Sequence, residues 1–313
     1  MDWKDKRVFI TGATGFIGSH LTRKLKELGA DIFVLAHKRL PDEQIIYHRD
    51  DINDLGDDFG INLRWFNPEY IFHLAAQPLV SVAMVNEKST LDANTRGTYN
   101  LLNICKTLKG LKSFVHISTD KVYGNIPNIT DDSVPFGVHH PYNTSKLAGD
   151  VIAQMYSNFF NIPMVIVRNC NVYGAGDTHF DRIVPRTIRK IIENERPIVR
   201  GDGTNTRDYI HVSEIVDGYI KSAGVSQDKI SILNLCGFNH SVTKVVDTIV
   251  GKMNRVDLAP IYEEQWKGEI PHQHIVNQSA KELIGWNPQI GIEAGIDLTI
   301  PWYQKWYKEQ YGT

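Results

Sequence analysis

The sequence is poor in cysteine, which limits the compartments and sites it fits. Only Cys105, Cys170 and Cys236 occur in 313 residues, and their spacing matches no metal-ligand pattern. An odd number of cysteines scattered along the chain is also not a disulfide framework. We therefore expect small core residues in a reducing compartment.

Two further absences exclude whole classes of function. The net charge is −2, from 34 basic and 36 acidic residues, and the lack of a long basic run argues against a nucleic-acid-binding protein. No apolar run approaches the roughly 20 residues that a membrane span needs. The polar residues 1–7 lead directly into the first predicted strand without a signal-peptide pattern, so we expect a cytoplasmic protein.

The most informative stretch is an apolar run at 8–11 that continues into three glycines and then a helical pattern at 17–28. Amides at the start of a helix lack internal partners and carry the positive end of the helix dipole, which favours a bound diphosphate. Gly12, Gly15 and Gly18 leave room for such a ligand to approach. Between a strand and a helix, this spacing predicts a dinucleotide-binding loop.

Short, continuously apolar runs recur along the chain between helical patterns. This alternation predicts an α/β fold with a doubly wound parallel sheet, the Rossmann fold. The predicted strands after the first lie at 32–35, 70–74, 114–117, 164–167 and 232–235. Because the alternation fades after residue 173, we predict two domains. The dinucleotide-binding domain comprises 1–173 and 208–236, and a second, smaller substrate-binding lobe comprises 174–207 and 237–313.

Tyr142 and Lys146 lie one turn apart at the start of a predicted helix. A phenol is a poor base at neutral pH, and a neighbouring ammonium group lowers its pKa. The pair is therefore a candidate for taking a proton from a hydroxyl. On spacing alone, an unreactive surface pair is the commoner outcome.

Thr119, Asp120 and Lys121 follow the predicted strand at 114–117. Ligands of open α/β sheets bind at the carboxyl ends of the strands, so these side chains are placed to supply a hydroxyl, an acid and a base. The alternative is that Asp120 caps a turn and Lys121 is solvated.

Taken in order, these motifs resemble the extended short-chain dehydrogenase/reductase family, and within it the nucleotide-sugar epimerases and 4,6-dehydratases. Asp-Lys at 120–121 resembles the dehydratases, whereas epimerases usually carry small residues there. Residues 73–80, and Gly176-Asp177 followed by 181–185, resemble CDP-glucose 4,6-dehydratases, and 118–121 also resembles inverting UDP-N-acetylglucosamine dehydratases. The matching segments, which span roughly 280 residues, are 11–18, 72–77, Asn94, 142–146, 168–174 and 201–212.

The resemblance implies a reaction in which C4 of a sugar is oxidised, water is lost across C5 and C6, and the hydride returns to C6. Tyr142, assisted by Lys146 and beside Thr119, would remove the C4 hydroxyl proton as hydride passes to a nicotinamide. Asp120, protonated, and Lys121, neutral, would then serve as acid and base, and the sequence leaves open which group performs which step.

A nicotinamide dinucleotide is the implied cofactor. The second predicted strand ends in His37, Lys38 and Arg39, where NAD-preferring relatives carry an acid, so we favour NADP over NAD. CDP-glucose dehydratases also lack that acid, which keeps NAD open. The other implied cofactor contacts are Gly12, Thr14, Gly15, Phe16, Ile17, Gly18, Asp51, Ile52, Leu74, Ala75, Ala76, Gln77, Asn94, Tyr142 and Lys146.

The implied substrate is a nucleotide-diphosphate sugar, held by Asn171, Arg182, Ile183 and Arg207, because arginine matches phosphate oxygens. Its sugar and base stay unassigned, since 201–212 follows the common epimerase form. A homodimer through helices at 91–108 and 142–160 is a further implication. Two alternatives remain: a nucleotide-sugar epimerase that uses the same C4 oxidation, and a catalytically idle dinucleotide sensor.

Overall fold

The computed structural model describes residues 1–41, 44–225, 230–264 and 270–312. Within these ranges the strands, in chain order, are β1 (Arg7–Thr11), β2 (Asp31–Ala36), β3 (Ile46–Arg49), β4 (Tyr70–His73), β5 (Ser113–Thr119), β6 (Asn128–Ile129), β7 (Met164–Asn169), β8 (Asn171–Tyr173), β9 (Ile198–Arg200), β10 (Thr206–His211), β11 (Ser231–Leu235), β12 (Phe238–Ser241), β13 (Ile261–Glu263) and β14 (His274–Ile275).

The helices in the same ranges are α1 (Phe16–Glu27), α2 (Asp57–Phe66), α3 (Val80–Val85), α4 (Glu87–Leu91), α5 (Gly97–Cys105), α6 (Pro141–Phe160), α7 (Ile183–Ile192), α8 (Val212–Ser222), α9 (Val242–Lys252), α10 (Gln278–Ile284) and α11 (Ile292–Tyr311). A π-helical turn at Asp92–Arg96 joins α4 to α5. Across the described part of the chain, every helix is too short or too polar to cross a bilayer.

Seven parallel strands form the main sheet, in the order β11-β7-β5-β4-β1-β2-β3. The predicted doubly wound α/β fold is therefore confirmed. Six of the strands coincide with the predicted apolar runs, and the seventh, β3, was not predicted. Its exposed Ile46 and Tyr47 lie at the sheet edge, so it lacks the two-sided burial that produces a continuous apolar run.

Both faces of the main sheet are covered, as its apolar strands require. Val8 and Ile10 of β1 point into one core together with residues of α1 and α8. Phe9, between them, points into the other core with residues of α2, α5 and α6. Successive residues of a strand face opposite sides, so β1 is buried in both layers.

A third hydrophobic cluster lies apart from the sheet and is built by α7, α9 and α11 around Tyr173, Val199 and Tyr209. We call this region the second lobe. A three-stranded sheet of β12, β10 and β8 and the pair β13-β9 belong to it or border it. The domain boundaries proposed from the sequence stay a prediction.

Residues 270–275 form a segment that we call the strap. It is fastened on one side to the loop after β5, because β14 pairs with β6 and His274 N–H donates to the Pro127 carbonyl at 2.8 Å. On the other side the buried Asp208 carboxylate accepts the Ile275 N–H at 2.7 Å and pairs with the His274 ring at 2.9 Å. The strap therefore joins the loop after β5 to β10.

Candidate active site

One large cavity of ≈ 1760 Å³ opens at the carboxyl ends of the main-sheet strands. Pockets for a single small ligand usually measure about 300–1,000 Å³, so this cavity has room for two ligands side by side. It runs from the glycine turn after β1, past the ends of β5 and α6, to the second lobe.

The glycine turn fits a dinucleotide diphosphate. Gly12 has φ +71°, and a Cβ on it would lie 2.7 Å from the Ala75 nitrogen, while a Cβ on Gly18 would lie 2.0 Å from the Gly12 oxygen. Gly15 caps α1 without a side-chain hydrogen bond, so no cap side chain occupies the first amides of the helix. The first residues of the helix line the cavity. Bare, converging backbone of this kind is what a pyrophosphate needs.

The residues proposed for the rest of the cofactor continue along the same wall. His37, Lys38 and Arg39 follow β2, and the His37 ring lies 3.7 Å from the Asp51 carboxylate. A bound dinucleotide would thus lie on the glycine turn with its ribose near this cluster. The proposed cofactor residues that line the cavity are Gly12, Thr14, Gly15, Phe16, Ile17, Gly18, His37, Lys38, Arg39, Asp51, Ile52, Leu74, Ala75, Ala76, Gln77, Tyr142 and Lys146.

Asn94 is the exception among the proposed cofactor residues. It is 3% exposed and lies outside the cavity lining, within the π-helical turn. Its amide accepts the Gln77 N–H at 2.8 Å and donates to the Gln77 carbonyl and the Ser145 hydroxyl. Asn94 therefore fixes the loop that forms the cavity wall, and its direct contact with a cofactor stays a prediction.

Tyr142 lies in the first turn of α6, where the His140 ring accepts its N–H at 3.1 Å. Burial raises the pKa of Tyr142 to about 12, and the negative charge of Asp120 acts in the same direction. The positive charge of Arg182 and a hydrogen bond with Thr119 oppose this rise. The phenol is therefore protonated in the free protein.

Lys146 does not act on Tyr142 as predicted. Its ammonium donates to the Ile117 carbonyl at 2.7 Å, and burial lowers the pKa of Lys146 to about 8 while Asp150 opposes the shift. The expected lowering of the pKa of Tyr142 is wrong here, because burial, which spacing along a helix does not reveal, dominates.

Asp120 and Lys121 form an ion pair beside Tyr142. The Lys121 ammonium lies 2.7 Å from one Asp120 oxygen, and the Thr119 hydroxyl donates to the other at 2.8 Å. The turn at 120–123 is capped by Thr119, whose hydroxyl accepts the Lys121 N–H, and the Lys121 side chain is only 16% exposed. The alternative of a capping Asp120 and a solvated Lys121 is therefore wrong.

The proposed substrate residues line the far end of the same cavity: Asn171, Arg182, Ile183 and Arg207. Arg182 pairs with the buried Asp177 at 3.0 Å, and Arg207 donates to the carbonyls of Thr206 and Pro271. The two guanidinium groups bring positive charge to one end of the cavity, where a diphosphate would be neutralised.

A second ion pair lies behind the cavity wall. Arg168 binds both Asp150 oxygens at 3.0 Å, and neither side chain is more than 3% exposed. Ser118 and Gln154 also donate to Asp150, and Arg168 donates to the Tyr123 hydroxyl. This cluster holds β5, β7 and α6 together beneath the reactive groups.

One residue of the site was missed by the sequence analysis. Gln273 of the strap is 1% exposed, lies 152 residues from Lys121 and accepts its ammonium proton at 2.6 Å. No motif surrounds it, so only the folded chain reveals its position. Gln273 lies behind the cavity lining, whereas Arg200, Glu263, Glu264 and Trp302, which were also not predicted, line the cavity itself.

The chain belongs to the NAD dependent epimerase/dehydratase family, whose model matches residues 8–236. The resemblance to this family that the motifs indicated is thus confirmed.

Similar proteins include both reaction types. The chain is 31% identical to the CDP-glucose 4,6-dehydratase of Salmonella typhimurium over 98% of this chain and 92% of the relative. It is 29% identical to the UDP-glucose 4-epimerase of Mycolicibacterium smegmatis, over 95% of this chain and 98% of the relative. The solved UDP-glucuronic acid 4-epimerase of Bacillus cereus, in complex with UDP-glucuronic acid and NAD, is 26% identical with a TM-score of 0.87 and covers 96% of this chain and 100% of its own.

Proposed function

We propose that this enzyme is a nucleotide-sugar 4,6-dehydratase that converts a nucleotide hexose into its 4-keto-6-deoxy form. A nucleotide-sugar enzyme that depends on NAD is supported by the family and by relatives of both reaction types. The finer assignment depends on one observation: the Asp120–Lys121 ion pair lies in the same cavity as Tyr142, close enough for Asp120 to raise the pKa of that phenol. An acid and a base in addition to Tyr142 are needed only if water is eliminated.

In the first step Tyr142 releases its own proton to solvent, and the phenolate so formed accepts the proton of the sugar C4 hydroxyl, which Thr119 orients. The glycine turn at Gly12, Gly15 and Gly18 would hold a nicotinamide dinucleotide, which would supply a hydride acceptor and later a hydride donor. Because the Asp120 charge raises the pKa of Tyr142, protonation of Asp120 makes the phenolate easier to form. The two chemical steps are thus linked through one carboxylate.

In the second step the ion pair first becomes neutral: one proton moves from the Lys121 ammonium to the Asp120 carboxylate along their 2.7 Å contact. Exclusion of water by the bound substrate favours the neutral pair. The Lys121 amine then takes the C5 proton, which the C4 ketone acidifies, and the Asp120 carboxylic acid protonates the departing C6 hydroxyl. Water leaves, and the original ion pair is restored. When C6 receives the hydride, the Lys121 ammonium returns its proton to C5, and the proton held by Tyr142 then recharges Lys121 through solvent.

The remaining proposals concern ligands and assembly. Arg182 and Arg207 bind the substrate diphosphate, with Asn171 and Ile183 beside them. Lys38 and Arg39 support NADP, although NAD is the dinucleotide named with the Bacillus cereus epimerase. A cytoplasmic homodimer that buries the exposed Val151, Met155 and Phe159 of α6 is also proposed.

The second candidate is a nucleotide-sugar 4-epimerase, because relatives of about equal similarity carry that activity. Incubation with CDP-glucose, UDP-glucose and dTDP-glucose separates the two. A dehydratase lowers the product mass by one water, whereas an epimerase leaves the mass unchanged. An unchanged mass with full turnover would overturn the proposal.

The Asp120→Asn variant tests the role of the ion pair. We expect water loss to fall by about 10²–10⁴-fold, because a general acid is removed. C4 oxidation persists and occurs at lower pH, since the charge that raises the pKa of Tyr142 is gone. The exposed Asp132→Asn is the matched control and keeps normal turnover.

A further inference from the structure

Gln273 lies on the strap and contacts the acid–base pair, which lies directly after β5. Its side-chain oxygen lies 2.6 Å from the Lys121 nitrogen, and its amide nitrogen lies 3.5 Å from the Asp120 carbonyl oxygen. The second contact orients the amide so that its oxygen faces the lysine. Two of the three ammonium protons of Lys121 are thus directed to Asp120 and Gln273, and the third is left for a ligand.

The backbone of Gln273 is fixed as firmly as its side chain. Its N–H donates to the Thr206 carbonyl at 3.2 Å, and its own carbonyl accepts the Asn239 amide at 2.7 Å. The residue is 1% exposed. A side chain with so little freedom can define where the Lys121 amine points.

The chemistry of the amide matters as much as its place. Glutamine accepts a hydrogen bond without bringing charge, so it binds both the ammonium and the neutral amine of Lys121. A carboxylate at the same place would give Lys121 a second negative partner beside Asp120 and hold it in the charged form. Proton release from Lys121 would then be suppressed.

We propose that Gln273 is a positioning residue for Lys121: it aims the amine into the cavity and, being neutral, leaves it able to give its proton to Asp120. This inference rests on the proposed dehydratase function and deepens it, because it adds a third member to the elimination machinery. Gln273 acts on water loss through Lys121 and not on the oxidation at C4.

The first test is independent of the reaction catalysed. The wild type, Gln273→Glu and Gln273→Met are treated with trace acetic anhydride at a fixed, mildly alkaline pH, and acetylation of Lys121 is measured by peptide mass spectrometry. In Gln273→Glu we expect about tenfold slower acetylation of Lys121, the effect of one pKa unit, because only the neutral amine reacts. Exposed lysines in the same digest serve as internal standards. Equal Lys121 labelling in the wild type and Gln273→Glu would overturn the proposal.

The second test follows turnover. Gln273→Met, which has a similar volume but no acceptor, should lose about tenfold in the rate of water loss with KM unchanged and C4 oxidation retained. Reduced nicotinamide then accumulates and is detected by its near-ultraviolet absorbance. Gln273→Glu should lose activity at neutral pH and recover it at higher pH. Loss of oxidation together with water loss in Gln273→Met would indicate a merely structural role and refute the proposal.

Two controls keep the outcomes separate. His272→Met changes the neighbouring exposed residue of the strap and should behave as the wild type in both tests. Thermal unfolding of each variant identifies a fold defect, and Gln273→Met introduces no buried charge. If Gln273→Glu slows acetylation but no nucleotide sugar loses water, the proposed dehydratase function fails while the contact between Gln273 and Lys121 is upheld.

Discussion

Two carboxylate–cation pairs lie at the carboxyl ends of neighbouring strands, and they are built in opposite ways. Asp150 and Arg168 are fully enclosed and share two hydrogen bonds. Asp120 and Lys121 share one contact at the cavity wall, and the lysine side chain is 16% exposed. The first pair contains a guanidinium, which stays protonated, and the second contains an amine, which can release its proton.

The surroundings reinforce this difference. Ser118 and Gln154 donate to Asp150. Burial lowers the pKa of Arg168, but its hydrogen bonds with Asp150 and the charge of that carboxylate outweigh burial and leave the pKa raised. Lys121 has a neutral amide, Gln273, as its second partner. The enclosed pair is thus surrounded by donors to its anion, whereas the pair that exchanges a proton in the proposed mechanism has a neutral neighbour.

The largest expected effect comes from breaking the enclosed pair. Arg168→Met leaves the Asp150 carboxylate buried without its cation, so the free energy of unfolding should fall by about 3–5 kcal/mol. Urea denaturation followed by circular dichroism measures this change. A loss below about 1 kcal/mol would show that the two pairs do not differ as described.

Lys121→Arg tests proton release at the cavity wall. Arginine keeps the positive charge but does not deprotonate, so water loss should fall by about 10²–10³-fold while the free energy of unfolding stays nearly unchanged. The measurements are product mass against time and urea denaturation. Normal water loss in this variant would exclude Lys121 as the base, and Lys121→Met controls for the larger side chain.

Arg168→Lys tests whether the enclosed pair needs the several N–H donors of a guanidinium. Lysine keeps the charge but cannot bind both Asp150 oxygens and Tyr123 in the same geometry, so we expect a loss of about 2 kcal/mol in the free energy of unfolding. The comparison with Arg168→Met under identical urea conditions separates charge from geometry. Equal losses in the two variants would contradict this division.

The smallest effect concerns His116, which lies near Arg168 and Lys146. Burial, followed by the charges of those two cations, holds the pKa of His116 well below 6.5. Below about pH 6.5 the unfolded chain therefore binds a proton that the folded chain does not, and the free energy of unfolding falls as pH falls. His116→Leu should reduce this slope by about 1.4 kcal/mol per pH unit. Urea denaturation at several acidic pH values measures the slope, and an unchanged slope would contradict the account.

Local patterns predicted the parts of the site that lie close together in sequence. Three segments of the site each adjoin an element whose apolar pattern is strong, and the parallel sheet brings them to one edge. They are the glycine turn, Thr119 to Lys121 and the first turn of α6. Gln273 could not be found this way, because it reaches Lys121 from 152 residues away through the strap. Neither could β3, an exposed edge strand.

The electrostatic predictions were less successful for a different reason. Spacing placed Lys146 one turn from Tyr142 on α6, but the direction of its ammonium depends on the Ile117 carbonyl, which belongs to β5. The pKa of Tyr142 depends on depth and on Asp120. Such quantities are properties of the packed site and have no signature in a single helix.

The strap also connects two parts of the chain that are far apart in sequence. Hydrogen bonds tie it to Asn128–Ile129 on one side and to Asp208 on the other, so the strap is held on both sides. The position of Gln273 beside Lys121 therefore depends on these two attachments as well as on the contact between the two side chains.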